Sequence, residues 1–179
     1  MNLLKLAFAL TYIFLLSDPM IIFDFTKDCS LADWYIMDDV VMGGRSDGNM
    51  MISDEGHGVF HGDVSLENNG GFSSVRYRPE LMSVSDYKTC KLRVKGDGKS
   101  YQFRIKSDVR DRFSYIYSFD TTGEWETVEI PLHDMYPSFR GRRLDMNNYS
   151  GETLAEMAIL IGNKKNESFN LALDKITLE

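Results

Sequence analysis

The chain has 179 residues, 43% of them hydrophobic and 26% charged, which suits one soluble domain built round a single core. Its 27 acidic residues outnumber the 20 basic ones and leave a net charge of −7. That balance argues against a nucleic-acid partner, because phosphate binding needs a positive field.

Lys5 precedes an apolar run from Leu6 to Leu16. As a helix this run rises only about 16 Å, too little to span a bilayer. A short apolar run behind one positive charge has the form of a signal-peptide core. Residues 1–18 are therefore expected to direct export, with one periplasmic domain over 19–179 and no transmembrane span in the mature domain. The alternatives are an uncleaved membrane anchor or a cytoplasmic protein whose first segment packs on the domain.

From Pro19 the hydrophobic period is two. Met20–Phe25 is a first strand, and "GVFHGDVSL" and "GFSSVRYR" are two more, separated by the turn cluster "ENNGG". "CKLRV" sets Leu92 and Val94 against Lys91, Arg93 and Lys95, and "SYQFRIK" sets Tyr101, Phe103 and Ile105 against Gln102, Arg104 and Lys106. With "GDGK" between them they read as a hairpin, with Arg104 and Lys106 beside Lys91, Arg93 and Lys95 on its non-core side. Lys88–Arg112 holds nine basic and three acidic residues, either a solvated face or a docking surface for an acidic partner. "FSYIYSF" places Phe113, Tyr115, Tyr117 and Phe119 on one side, as core rather than as a sugar-stacking stripe. "EWETVEI", "EMAILIGN" and "FNLALDKITLE" are further strands, and "SGETLAEMA" allows a short turn of helix. Many short strands with frequent turns describe an all-β sandwich or barrel.

Two glycine-pair loops stand out. "DDVVMGGRSDG" and "SLENNGGFSSVRY" each free the backbone with Gly-Gly and flank it with polar residues. Asp38, Asp39, Arg45, Asn68, Asn69 and Arg76 are expected at one edge of the sandwich, either as a ligand or partner site or as groups that satisfy one another. The first loop lacks the lysine and following helix of a phosphate loop. No part of the chain is read as a nucleophile elbow or catalytic pair. His57 and His61 would lie about 13 Å apart along a strand, too far to share an ion. Asp24, Asp28 and Asp174, on the terminal strands, are weak candidates for a calcium site. Cys29 and Cys90 either pair or remain free; their spacing does not decide.

"WYIMDDVVMGGRSDG", "FHGDVSLENNGGFSSVRY", "LRVKGDGKSYQFRI", "GEWETVEIPL" and "FRGRRL", in that order, resemble the complex I intermediate-associated protein 30 family. The best-known members help assemble mitochondrial respiratory complex I. The resemblance runs from Ile22 to the end and implies a galactose-binding-like jelly roll. It also implies a non-catalytic, chaperone-like protein-binding role without a cofactor. The family motif falls on Asp39, Met42–Ser46, Asn69–Phe72, Arg76, Gly96–Gly98, Tyr101, Trp125 and Pro131, and so adds Ser46 and Asp97 to the candidate binding residues. The chain looks like a stand-alone bacterial member. The expected partner is a protein, respiratory subunits among the possibilities; the alternative is a carbohydrate-binding module of the same fold class.

Overall fold

The computed structural model describes residues 18–179, so the export segment expected over 1–18 lies, except for Asp18, outside the described residues. The strands are β1 (Met20–Asp24), β2 (Trp34–Asp38), β3 (Asp47–Ile52), β4 (Gly58–Val64), β5 (Ser73–Tyr77), β6 (Met82–Ser83), β7 (Thr89–Lys95) and β8 (Ser100–Lys106). They continue with β9 (Ser114–Asp120), β10 (Trp125–Pro131), β11 (Tyr136–Phe139), β12 (Arg142–Arg143), β13 (Thr153–Leu154), β14 (Glu156–Ile161) and β15 (Glu167–Leu178). Three short 3-10 turns, at Asp39–Met42, Glu67–Asn69 and Leu132–Asp134, are the helical elements among the described residues. None is long and apolar enough to cross a membrane.

Two antiparallel sheets pack face to face. A six-stranded sheet runs β10-β7-β15-β4-β3, with β1 also paired to β15. A seven-stranded sheet runs β12-β11-β9-β8-β14-β5-β2, and β6 and β13 form a small ribbon. The twelve residues of β15 serve three neighbours: β7 on one side, and β4 followed by β1 on the other.

Alternation places the core between the sheets. Phe60, Leu92, Val94, Leu171, Leu173 and Ile176 enter it from the first sheet, and Val75, Tyr101, Phe103, Ile105, Met157 and Ile159 from the second. Tyr115, Tyr117 and Phe119 lie on the core side of β9, as expected for that stripe. The helical turn allowed by "SGETLAEMA" is absent, and its residues run through β13 into β14. Cys29 and Cys90 are both free thiols, and burial pushes the Cys90 thiol up in pKa.

The expected hairpin is not formed, although its register is right. Leu92, Val94, Phe103 and Ile105 are all buried, but β7 sits between β10 and β15 while β8 sits between β14 and β9 in the opposite sheet. Gly96–Lys99 carries the chain across, with Gly98 at φ +79°. A hairpin and a crossing have the same alternation. The crossing lets both apolar faces meet inside the sandwich. The basic sides therefore point out of opposite faces, Lys91, Arg93 and Lys95 from one sheet and Arg104 and Lys106 from the other. The shared basic face expected for this pair of strands is not formed.

Candidate functional site

The two glycine loops do meet, and Asp39 joins them. Asp39 is fully buried. Its carboxylate accepts hydrogen bonds from Ser46 N (3.0 Å), Gly71 N (2.6 Å), Phe72 N (3.1 Å) and Ser46 Oγ. Burial opposes its charge, yet the hydrogen bonds from Ser46, Gly71 and Phe72 outweigh burial and leave its pKa lowered. The loops need glycine where this carboxylate lies: a Cβ on Gly44 would stand 2.1 Å from Asp39 Oδ1, and one on Gly70 would stand 2.7 Å from Oδ2. Asp38 accepts from Gly48 N at 2.9 Å. Arg45 is exposed and reaches Glu67 of the second loop at 2.8 Å. Asn68 and Asn69 are exposed residues with φ of 56° and 62°, so they shape the second turn.

Gly44-Arg45-Ser46-Asp47-Gly48 carries the GxSxG spacing of a nucleophile elbow, a match the reading of the sequence passed over. Ser46 is 2% exposed, its hydroxyl is bound to Asp39, and the chain runs on into β3 rather than into a helix. It is a loop fastener and lacks the strand–turn–helix setting of an elbow.

Other candidates are similarly engaged. Asp97 accepts from Lys99 Nζ (2.6 Å), Asn170 N (2.9 Å) and the Tyr101 hydroxyl (3.0 Å), tying the β7–β8 corner to β15. Asp24 pairs with Lys175 at 3.3 Å, and Asp174 faces His57 at 3.5 Å. No group of three or more His, Cys, Asp or Glu among the described residues, Asp28 included, is placed to hold a metal.

Arg76 leaves the loop cluster altogether. It projects from the outer face of the seven-stranded sheet, where register aligns Tyr35, Arg76, Ala158, Arg104, Ile116 and Tyr136 in one row across six strands. A neighbouring row contains Met37, Ser74, Leu160, Gln102 and Ser118, and Glu156 lies opposite Lys106 on the other side. Ser74, Ala158, Leu160 and Ile116 are buried although they point away from the core. They are a floor beneath taller polar side chains.

Glu156, 2% exposed, organises one end of this face. Arg76 Nη1 and Arg78 Nη2 each donate to it at 2.8 Å, and the Tyr35 hydroxyl donates at 2.7 Å. Burial resists its charge, but Arg78, Tyr35 and Arg76 prevail and its pKa is lowered. At the other end Arg143 lies over the Tyr136 ring at 4.9 Å. In the middle, Arg104 is partly buried and donates through Nε (3.2 Å) and Nη2 (2.6 Å) to Gln102 Oε1. Sequence reasoning put Arg104 on an outer face but missed Tyr35, Glu156 and Tyr136. A lone acid heading the apolar run "EMAILIG" was the available signal for Glu156.

The outer face of the six-stranded sheet carries a smaller feature. Trp125, His57, Asn170, Lys95, Ser53 and Glu55 border a cavity of about 260 Å³. His57 and Trp125 have ring centroids 4.6 Å apart, and Arg93 covers the indole at 5.7 Å.

The sandwich and its sheet order define the class: a galactose-binding-like jelly roll. It is similar to the family 11 carbohydrate-binding module from Clostridium thermocellum in complex with a β-1,3-1,4-mixed-linked tetrasaccharide. The two are 16% identical, the match covers 89% of this chain and 94% of that one, and the TM-score is 0.63. A family 29 carbohydrate-binding module is similar at a TM-score of 0.54 and 7% identity, covering 91% of this chain and 92% of that one. These likenesses speak for the fold alone.

Sequence gives the narrower placement. The profile of the complex I intermediate-associated protein 30 family matches residues 23–173, and the chain belongs to that family. The mitochondrial protein of that name from Drosophila melanogaster is 26% identical over 70% of this chain and 50% of its own length. The Mus musculus protein is 23% identical over 90% of this chain and 56% of its own length. The chain thus spans about half the length of the curated relatives it matches.

Proposed function

We propose that the chain is a non-catalytic module that docks a protein partner on the outer face of its seven-stranded sheet, as an assembly factor for a respiratory complex. The observation that carries this reading is the fixed network of Tyr35, Arg76, Arg78 and Glu156, with Tyr136 and Arg143 at the far end of the same face. Tyrosine and arginine anchors held in place before binding cost little to order on association. The face is also locally basic in a chain of net charge −7, since Arg76, Arg78, Arg104, Lys106 and Arg143 share it with two acids, Glu156 and Asp120. That favours an acidic partner surface. Family membership supports the kind of partner proposed, a respiratory complex I intermediate.

Photo-cross-linking in the native host tests the reading. A benzoylphenylalanine at position 136 is expected to capture a respiratory subunit, and the same probe at exposed Met51, on the other sheet, is not. Equal capture from both positions, or none from 136, overturns it. Export by residues 1–18 belongs to the same proposal; a cytoplasmic protein that retains Met1 sinks that part.

A second reading, glycan binding, is favoured by Trp125, His57 and Asn170 around the cavity on the opposite sheet, an aromatic face with an amide beside it. Calorimetric titration with soluble β-glucans and Trp125→Ala tests it. Binding lost in the variant supports a sugar site, and no heat with any glucan removes this reading.

A further inference from the structure

Arg104 is the charged group in the row that has no carboxylate partner among the described residues. Its guanidinium holds the Gln102 amide oxygen with two nitrogens, the fork that an arginine ordinarily offers to a carboxylate. No carboxylate among the described residues lies within ion-pairing distance of it, whereas Arg76 and Arg78 share Glu156 and Lys106 donates to Asp111 O at 2.8 Å. Its Nη1 makes no hydrogen bond to the described residues. The nearest charge along the row is the like charge of Arg76, with only Ala158 between them. Burial first, and Arg76 second, push its pKa down to about 10, so the free protein holds this cation at a disadvantage.

A partly buried charge without an opposite charge beside it is costlier to keep than one in open solvent. Hydrophobic replacement would be easy at this position, because Ile116 and Ala158 flank it on the same floor. A cation kept over an apolar floor, beside a second cation and in one row with half-buried Tyr136, suits an anion that arrives from outside. Planar, bidentate recognition distinguishes a carboxylate from a bulk negative field.

We propose that Arg104 is the anchor of the docking face and takes the side-chain carboxylate of an aspartate or glutamate in the partner polypeptide. Gln102 is the internal stand-in that holds the guanidinium until that carboxylate displaces it. The inference rests on the docking reading above and names the chemistry of its central contact.

The test uses the full chain at physiological salt, with a capped hexaglutamate peptide as probe and hexaglutamine and oligoglucuronate as comparisons. Hexaglutamate is expected to bind at least about tenfold more tightly than either. Arg104→Lys keeps the charge and loses the fork, and should weaken hexaglutamate binding about tenfold, whereas Arg112→Gln at the exposed rim should change it little. Gln102→Glu gives Arg104 a permanent internal carboxylate. It should raise the melting temperature while abolishing peptide binding, a result that misfolding cannot imitate. Equal binding of hexaglutamate and hexaglutamine, tighter binding of oligoglucuronate, or indifference to Arg104→Lys and Gln102→Glu overturns the proposal. If position 136 still cross-links its partner in those variants, the anchor fails and the docking face stands. If the peptide behaves as expected while cross-linking fails, the anchor stands and the docking reading falls.

Discussion

Asp39 shows how one side chain can give a polar loop its shape. Four donors converge on it, and two glycines leave room for it. Asp39→Asn keeps the size but turns an NH2 group toward some of those donors. The expected cost is about 3 kcal/mol, read as a lower urea midpoint with an unchanged slope. The sign with pH follows from its lowered pKa. The stabilisation is complete above the unfolded-state value near 3.8 and is lost as pH falls through the lower folded value. Wild type and Asp39→Asn should therefore converge in stability in acid. Parallel curves down to the lowest pH would contradict the assignment. The sequence displayed the glycine pairs and the acids but not which acid would turn inward. Asp38 and Asp39 are adjacent and chemically alike, and only the turn that starts at Asp39 separates their fates.

Strands were legible where their residues alternate. β1, β4, β5, β7, β8, β9, β10, β14 and β15 all coincide with segments of period two or continuous apolar runs. β2 and β11 were not legible, because "WYIMD" has too little alternation and "YPSF" contains a proline. Pairing was less visible still, since period two specifies a face and not a neighbour. Alternation alone therefore gives the β7–β8 corner the pattern of a hairpin and puts Arg104 beside Lys91, whereas the sheet order puts it beside Arg76. The register itself gives a prediction at this scale. Phe103, fully buried on β8, should cost roughly 3–5 kcal/mol on truncation to alanine, while exposed Arg93 on β7 should cost under about 0.5 kcal/mol. Chemical denaturation of the two variants checks it, and comparable midpoints would refute the assigned faces.

At the scale of the whole molecule, the long strand β15 determines when the domain can exist. It fills the place between β7 and the β4–β1 pair, so the six-stranded sheet has a gap until residues 167–178 are made. Translation at about 5–20 residues per second leaves β1 without its pairing partner for on the order of ten seconds. During that time Ile22, Phe60 and Leu92 belong to a core that cannot close. The nascent chain is therefore expected to close its core late rather than to fold stepwise from its first strand. An arrest-peptide force profile should show its main folding event only after β15 has cleared the ribosome. A strong event before that point would mean that the seven-stranded sheet folds unaided. The last of the described strands to be synthesised is thus the one on which the earlier strands must wait.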